Sequence, residues 1–295
     1  MSRMRIAVIA DSRKPSHLSP LVTDLVEAFE VLGHDAAVID PDAQGMRLDH
    51  LSLRADLYVL KSGTEAALSL AGALDHLGAR VLNPYAAAAA CRDKVVQTAM
   101  LAGADVPLPD SWLTTDPGEM ADELVGGPLI VKDPRGSRGR GLHVVRQPHQ
   151  LRALERDRPW LVMRYHAPVG DDLKLYRIGH EVFGVRRRFP ARTLAEKRGV
   201  PAAVDPDLRE VVMRCGEPFG IDLYGVDVIH SDGRPWVVDM SSFPGFKGVP
   251  DAAMRIADHA VRWIHGPIPP VAVHGRKPPR RHAPERTLRA VQGSS

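Results

Sequence analysis

The chain has 295 residues, with 39 Lys and Arg against 36 Asp and Glu, and only two cysteines, Cys91 and Cys215. That length buries a large core and suits about two domains. No run of roughly 18 uncharged apolar residues occurs, which argues against a membrane span, and two cysteines make no disulfide framework, which points to a reducing cytoplasm.

Met4–Ala10 reads as a buried strand. It is too short for a secretory leader and lacks a small-residue cleavage site. Leu21–Gly33 carries apolar residues at helical spacing and ends on glycine. Asp35–Ile39, Ala55–Lys61 and Arg80–Leu82 read as strands and Glu65–Leu77 as a helix, an alternation that predicts a parallel sheet covered by helices. No G-x-G-x-x-G follows the first strand, so a dinucleotide site is not supported. Ala86–Leu101 reads as one alanine-rich helix containing Cys91-Arg92-Asp93-Lys94. Beyond it lie strands at Pro128–Lys132, Leu142–Val145 and Trp160–Tyr165, and a short helix at Gln150–Glu155. Two hairpins follow, Leu173–Ile178 with Val182–Arg188 and Tyr224–Ile229 with Trp236–Met240, plus helices at Asp207–Phe219 and Asp251–Ile264. Hairpin-paired strands with few helices predict an antiparallel α+β half.

The C-terminal residues 271–295 hold Arg276, Lys277, Arg280, Arg281, Arg286 and Arg289 against Glu285, a balance of +5. The net charge is +3, so residues 1–270 sum to −2. With Pro278-Pro279 and Pro284, residues 269–295 read as a disordered basic tail, either simply solvated or touching an acidic partner. Nucleic acid is not expected elsewhere, since zinc spacing and aromatic–basic interleaving are absent.

Two stretches carry chemistry. Lys132 ends a strand that runs into Asp133-Pro-Arg-Gly136-Ser137-Arg-Gly139-Arg-Gly141. Three glycines in six residues let backbone N–H groups approach an anion closely, and Lys132 can reach that anion, so the loop suits phosphate oxygens. It is not a Walker loop, because Gly-Lys-[Ser/Thr] is missing. An ordinary glycine-rich turn is the competing reading.

The second stretch places Asp227 and Asp239 in apolar strands, where an unpaired charge is costly and a shared divalent cation, or arginine partners, would offset it. A two-residue Asp232-Gly233 turn would pair Asp227 with Val238 and send Asp239 to the opposite face. A three-residue Ser231–Gly233 loop would pair Asp227 with Val237 and leave both carboxylates diagonal on one face. Glycine in its third position suits a type I turn with a G1 bulge. The three-residue loop is therefore expected, with Asp227, Asp239 and Ser241 facing one metal.

Six motifs in order resemble the ATP-grasp superfamily, and most of all its RimK-type, glutathione synthetase-like amino-acid ligases. They are Asp93-Lys94; Val131-Lys132 with the glycine loop; the strand ending near Tyr165; Asp172-Leu-Lys174; Glu181 to Arg188; and Gly225-Val-Asp227 with Val238-Asp239-Met-Ser-Ser-Phe-Pro-Gly245. The resemblance covers roughly residues 1–266. It implies that Lys94 and Lys132 hold ATP phosphates, with Gly136, Ser137, Gly139 and Gly141 in the flap. It implies that the backbone at Arg164, Tyr165 and His166 is the adenine hinge and that Asp172 and Lys174 lie beside the nucleotide. Arg188 would sit near the transferred phosphate, with Mg2+ on Asp227 and Asp239.

The implied organisation is an N-terminal α/β domain (residues 1–85), a lid with the glycine loop (86–165) and an antiparallel catalytic unit (166–268). The implied reaction is ATP-dependent joining of a carboxylate to an amine through an acyl phosphate, with amino-acid or peptide substrates and room for a homo-oligomer. Two departures matter. The family pattern has asparagine where Ser241 stands, a stronger metal ligand, and glutamate where Arg164 stands. The Asp-x-Ser-x-Phe-Pro-Gly-Phe run is also similar to inositol polyphosphate kinases of the same superfamily. A kinase for a small polyanion, with Arg186, Arg188, Arg192, Lys197 and Arg198 as its clamp, and an ATP-binding protein of weak activity are the alternatives.

Overall fold

The computed structural model describes residues 2–11, 19–43, 45–136, 141–188, 193, 196 and 198–267. The apolar strand β1 (Arg5–Ile9) is followed by α1 (Pro20–Val31), with proline at its start and Leu21, Val22, Leu25, Ala28 and Phe29 buried. Gly33 at φ +83° turns the chain, a geometry glycine adopts without a Cβ penalty. β2 (Asp35–Ile39), β3 (Leu57–Leu60), α2 (Glu65–His76) and β4 (Val81–Leu82) complete a parallel sheet ordered β2-β1-β3-β4. Thr64 caps α2 by accepting from Ala67 N–H.

The expected single helix over 86–101 is two: α3 (Tyr85–Arg92) and α4 (Lys94–Gly103). Asp93 leaves helical geometry at φ −96° and ψ 109°, and its Oδ1 accepts from Val95 N–H at 3.0 Å. An aspartate offers the backbone this alternative to helix continuation. The break makes Lys94 the first residue of a new helix.

A second sheet, ordered β5-β8-β6-β7, is antiparallel. It comprises β5 (Ser111–Thr114), β6 (Leu129–Lys132), β7 (Leu142–Val145) and β8 (Trp160–Arg164), with α5 (Pro148–Arg152) before β8. β5, a four-residue edge strand without alternating polarity, is not visible in the sequence pattern. The sheet encloses its own core, with Leu129, Val131, Leu151, Trp160 and Val162 buried.

The third sheet is antiparallel, ordered β11-β10-β9-β12-β13. Its strands are β9 (Asp172–Ile178), β10 (Glu181–Arg187), β11 (Val200–Ala202), β12 (Leu223–Ser231) and β13 (Arg234–Ser241), with α6 (Pro206–Gly216) before β12 and α7 (Ala252–Trp263) last. One face packs Leu175, Val226, Val228 and Met240 against α6, α3 and α4. The other has two characters. Near Tyr176, Ile178 and Leu223 it joins the core of β1, α1 and α7; farther along the strands it carries Asp172, Lys174, Asp227 and Asp239.

The parallel α/β and antiparallel α+β parts match the fold class expected from the sequence. Among the described residues no helix is long and apolar enough to cross a membrane.

Candidate active site

The acidic hairpin shows how a local sequence feature sets the chemistry. Ser231 pairs with Arg234, so the turn is two residues, not the three expected. Asp232 (φ 52°) and Gly233 (φ 75°) both take the left-handed conformation of the tight hairpin turn whose twist matches the strands. Uninterrupted, that register would put Asp227 opposite Val238. The ladder instead shifts between Asp227 and Val228: Val228 pairs with Val237, and Asp227 pairs with Asp239. Val238 is the extra residue of a β-bulge. The two aspartates lie directly opposite each other on one face, by a different route from the one expected, and Ser241, opposite Gly225, continues that face.

The neighbouring strand adds to the row. Lys174 pairs with Asp227, and its Nζ lies 2.6 Å from Asp227 Oδ1. That oxygen is buried and accepts no well-aligned hydrogen bond, so its neutralisation is ionic. Asp172 is two residues away on the same face, opposite Arg187 of β10. Burial, and then Asp227, push the Asp172 carboxyl above the usual carboxylate range.

Lys132 is 8% exposed, and its Nζ donates to the carbonyl of the bulged Val238 at 3.0 Å. Burial lowers its pKa from the ordinary value, with Asp239 acting the other way. Lys94 Nζ donates to Gly136 C=O at 2.6 Å, and Lys94 N–H to Pro134 C=O at 3.0 Å, tying the helix start to the glycine loop. The loop is closed at its base by Asp133 N–H on Gly141 C=O at 2.8 Å. Asp239 feels Lys94, Lys132 and Lys174 together. Burial nonetheless raises its pKa, and the facing Asp227 adds to the rise. Ser137 and Gly139 lie outside the described residues.

Other expected positions fall differently. The Arg164 guanidinium turns away, donating through Nη1 to Glu123 C=O and Gly127 C=O at 2.8 Å each. The amides of Arg164 and Tyr165 donate to Asp110 and Pro128 carbonyls, so neither N–H is left for the adenine contact expected of this stretch. His166 stacks on Trp236 with ring centroids 4.0 Å apart. Arg188 is exposed, one residue past the end of β10. Alternation turns Arg187 toward Asp172, and this cation was missed in the sequence, where three successive arginines hide the register. Arg192 and Lys197 lie outside the described residues.

A cleft of about 1050 Å3 runs from Lys94, Gly136, Asp239 and Ser241 to the start of α2. Its far wall includes Lys61, Thr64, Glu65 and Arg92, and Arg92 Nε donates to Gly63 C=O at 3.0 Å.

Residues 91–264 match the RimK-like ATP-grasp domain. The chain belongs to that family. It is 28% identical over 275 residues to the ribosomal protein bS6–L-glutamate ligase of Escherichia coli O7:K1, covering 81% of this chain and 90% of that protein. The fold matches the RimK domain ATP-grasp protein of Sphaerobacter thermophilus DSM 20745 (TM-score 0.68, 22% identity, 87% and 99% of the two chains). It also matches the ATP-grasp ligase PsnB in complex with a minimal precursor, Mg and ADP (TM-score 0.65, 19% identity, 88% and 97%). The reaction of this RimK-like ATP-grasp chain is ATP-dependent carboxylate–amine ligation, with ATP and Mg2+ as its cofactors.

The residues present fit both groups. Two carboxylates held opposite each other, one with its ionised form disfavoured by burial, make an oxygen site that a hard divalent cation would relieve. The three lysines around them supply the positive charge that phosphates require.

Proposed function

We propose that the chain joins an amino-acid amine to a protein, peptide or small-molecule carboxylate in the cytoplasm. The observation that supports this reading best is the convergence of Lys94, Lys132 and Lys174 on the opposed pair Asp227 and Asp239. In this reading Lys94 and Lys132 bind phosphate oxygens, with Gly136 and Gly141 framing the flap that carries Ser137 and Gly139. Asp227 and Asp239 hold magnesium, with Ser241 as a further oxygen ligand on the same face. Asp172 and Lys174 flank the nucleotide, and His166 marks the adenine end. Arg187 joins Arg188 as the positive charge beside the reacting phosphoryl group. ATP supplies the phosphoryl group that makes a carboxylate oxygen a leaving group, and magnesium screens the charge.

The chain's own part is to bind and orient. The cleft receives the second substrate, and Lys61 and Arg92 supply cations for an acidic one. The relative's name makes L-glutamate the first amine to test. The units 1–85, 86–165 and 166–268 would divide the labour between acceptor cleft, lid and catalytic sheet. A homo-oligomer belongs to the same reading and is checked by sedimentation. A role of the tail 269–295 in touching nucleic acid is tested by its removal.

The deciding experiment incubates the protein with ATP, Mg2+, L-glutamate or pooled amino acids, and a carboxylate peptide library. Phosphate release that needs both substrates, with a product heavier by one amide-linked residue, supports the ligase. A phosphorylated product without free phosphate would make it a kinase.

A further inference from the structure

Strand β13 is the outermost strand of its sheet, so backbone groups that point away from β12 have no strand to pair with. At Met240 a side chain takes that place. Gln97 of α4 accepts from Met240 N–H through Oε1 at 3.0 Å and donates to Met240 C=O through Nε2 at 2.8 Å. The same Nε2 donates to Cys91 C=O, near the end of α3, at 2.8 Å. A primary amide carries both donor and acceptor, so it can imitate the edge of a neighbouring strand. Gln97 is 3% exposed and follows Lys94 by three residues.

The clamped residue lies between the two β13 residues that face the nucleotide side, Asp239 and Ser241. Other groups hold the main chain on either side: Lys132 on Val238 C=O, Asn83 Nδ2 on Ser242 C=O, and Lys61 Nζ on Phe243 C=O. Gln97 differs from these in binding both polar groups of one residue. It also spans the α3–α4 break that delivers Lys94. The same side chain therefore ties the phosphate-side lysine to the metal-side carboxylate.

We propose that Gln97 is a positioning residue for the reaction, fixing Asp239 relative to Lys94 so that magnesium and phosphate are held at matched spacing. The proposal rests on the assignment of Asp227 and Asp239 as the metal site. The opposing idea is that Gln97 only fills the core.

The test uses the full chain, Mn2+ in place of Mg2+, and the non-hydrolysable nucleotide AMP-PNP. Electron paramagnetic resonance measures free Mn2+, so no turnover is needed. Gln97→Met keeps the volume and removes all three bonds. Its Mn2+ affinity with AMP-PNP is expected to fall at least tenfold. Leu101→Val trims the core that α4 shares with the sheet without removing a hydrogen bond to β13; it should lower Tm but keep Mn2+ affinity within twofold. Unchanged affinity in folded Gln97→Met overturns the proposal, as does an equal loss in Leu101→Val. If Gln97→Met does not fold, Gln97→Asn, one methylene too short to reach, carries the same readout. Wild-type protein that holds no Mn2+ with AMP-PNP would overturn the site assignment itself, and the clamp with it. Wild-type binding with an unaffected variant sinks the clamp alone.

Discussion

Replacing Asp239 with asparagine should make the unliganded protein more stable while abolishing its response to metal and nucleotide. The two carboxylates face each other across β12 and β13. Opposed Cβ atoms in such a pair sit about 5 Å apart, and two unit charges at that distance repel by about 3 kcal/mol at an effective dielectric of about 20. Lys94, Lys132 and Lys174 cancel part of this, but burial and Asp227 still leave the pKa of Asp239 raised. A carboxyl whose pKa is higher folded than unfolded destabilises the fold once ionised. That cost is full above the raised value and gone below the ordinary value of 3.8. Asp239→Asn removes it, a gain on the order of 1 kcal/mol, or a few degrees in Tm, at pH 7. The gain should fade in acid, where wild-type Asp239 is itself neutral. With Mg2+ and AMP-PNP at 100 times the dissociation constant, wild type should gain about 2.7 kcal/mol and the variant almost nothing. Differential scanning calorimetry with and without ligand reads both effects. A variant that melts below wild type without ligand, or that keeps the ligand-induced shift, would refute the reasoning.

Lys132→Met would remove one charged hydrogen bond from the proposed phosphate site. Nucleotide affinity by titration calorimetry should fall about 10- to 100-fold, as for a bond of about 1.5–3 kcal/mol; a change under twofold in folded protein would displace Lys132 from the site. Asp222 Oδ1 lies 3.0 Å from His259 Nε2, an ion-pair contact without good hydrogen-bond alignment, and although burial pushes the Asp222 pKa up, that contact brings the net value below the ordinary carboxylate range. Its stabilising effect is therefore present above about pH 4 and lost as pH falls through the depressed value. Asp222→Asn should cost about 1 kcal/mol at pH 7, discounted for partial exposure, and the difference should narrow near pH 3; chemical denaturation at the two pH values checks this. Gly233→Ala, at φ 75°, should cost about 1 kcal/mol of stability without altering metal affinity, because the bulge, not the turn, sets the carboxylate pair.

The elements with strong periodicity were legible from residues alone. The parallel strands and α1, α2, α6 and α7 lie where apolar spacing and glycine stops put them. The acidic hairpin was half legible. Asp227 and Asp239 in apolar strands signal a charge that needs a partner, and their sharing of one face follows. The means did not follow: a bulge at Val238 is an insertion in the ladder that no local propensity marks, and a type I′ turn and a G1-bulged loop both favour Asp-Gly. The helix break at Asp93 was hidden because alanine-rich sequence supports helix on both sides, and only the cap geometry separates them. Arg187 was missed because three arginines in a row carry no period. Gln97 gave no signal, since its value depends on an edge strand 143 residues away in sequence.

The distribution of apolar contacts sets how the molecule can open. Tyr176, Ile178, Leu223, Phe243 and Phe246 of the five-stranded sheet region share one core with β1, α1 and α7, so those parts form a single mechanical block. The antiparallel sheet of β5, β8, β6 and β7 has a separate core. Its ties to the block include Lys94 to Pro134 and Gly136, Lys132 to Val238, and Val237 to Pro107, all of them polar. Water can replace such bonds one at a time, whereas parting an apolar core is all-or-none. The small sheet should therefore be the part that swings, and two of its fastenings are the lysine ammonium groups that an entering phosphate would claim. In hydrogen exchange, the amides of that seam should open well before those of β1 or β9, and nucleotide should slow the seam alone.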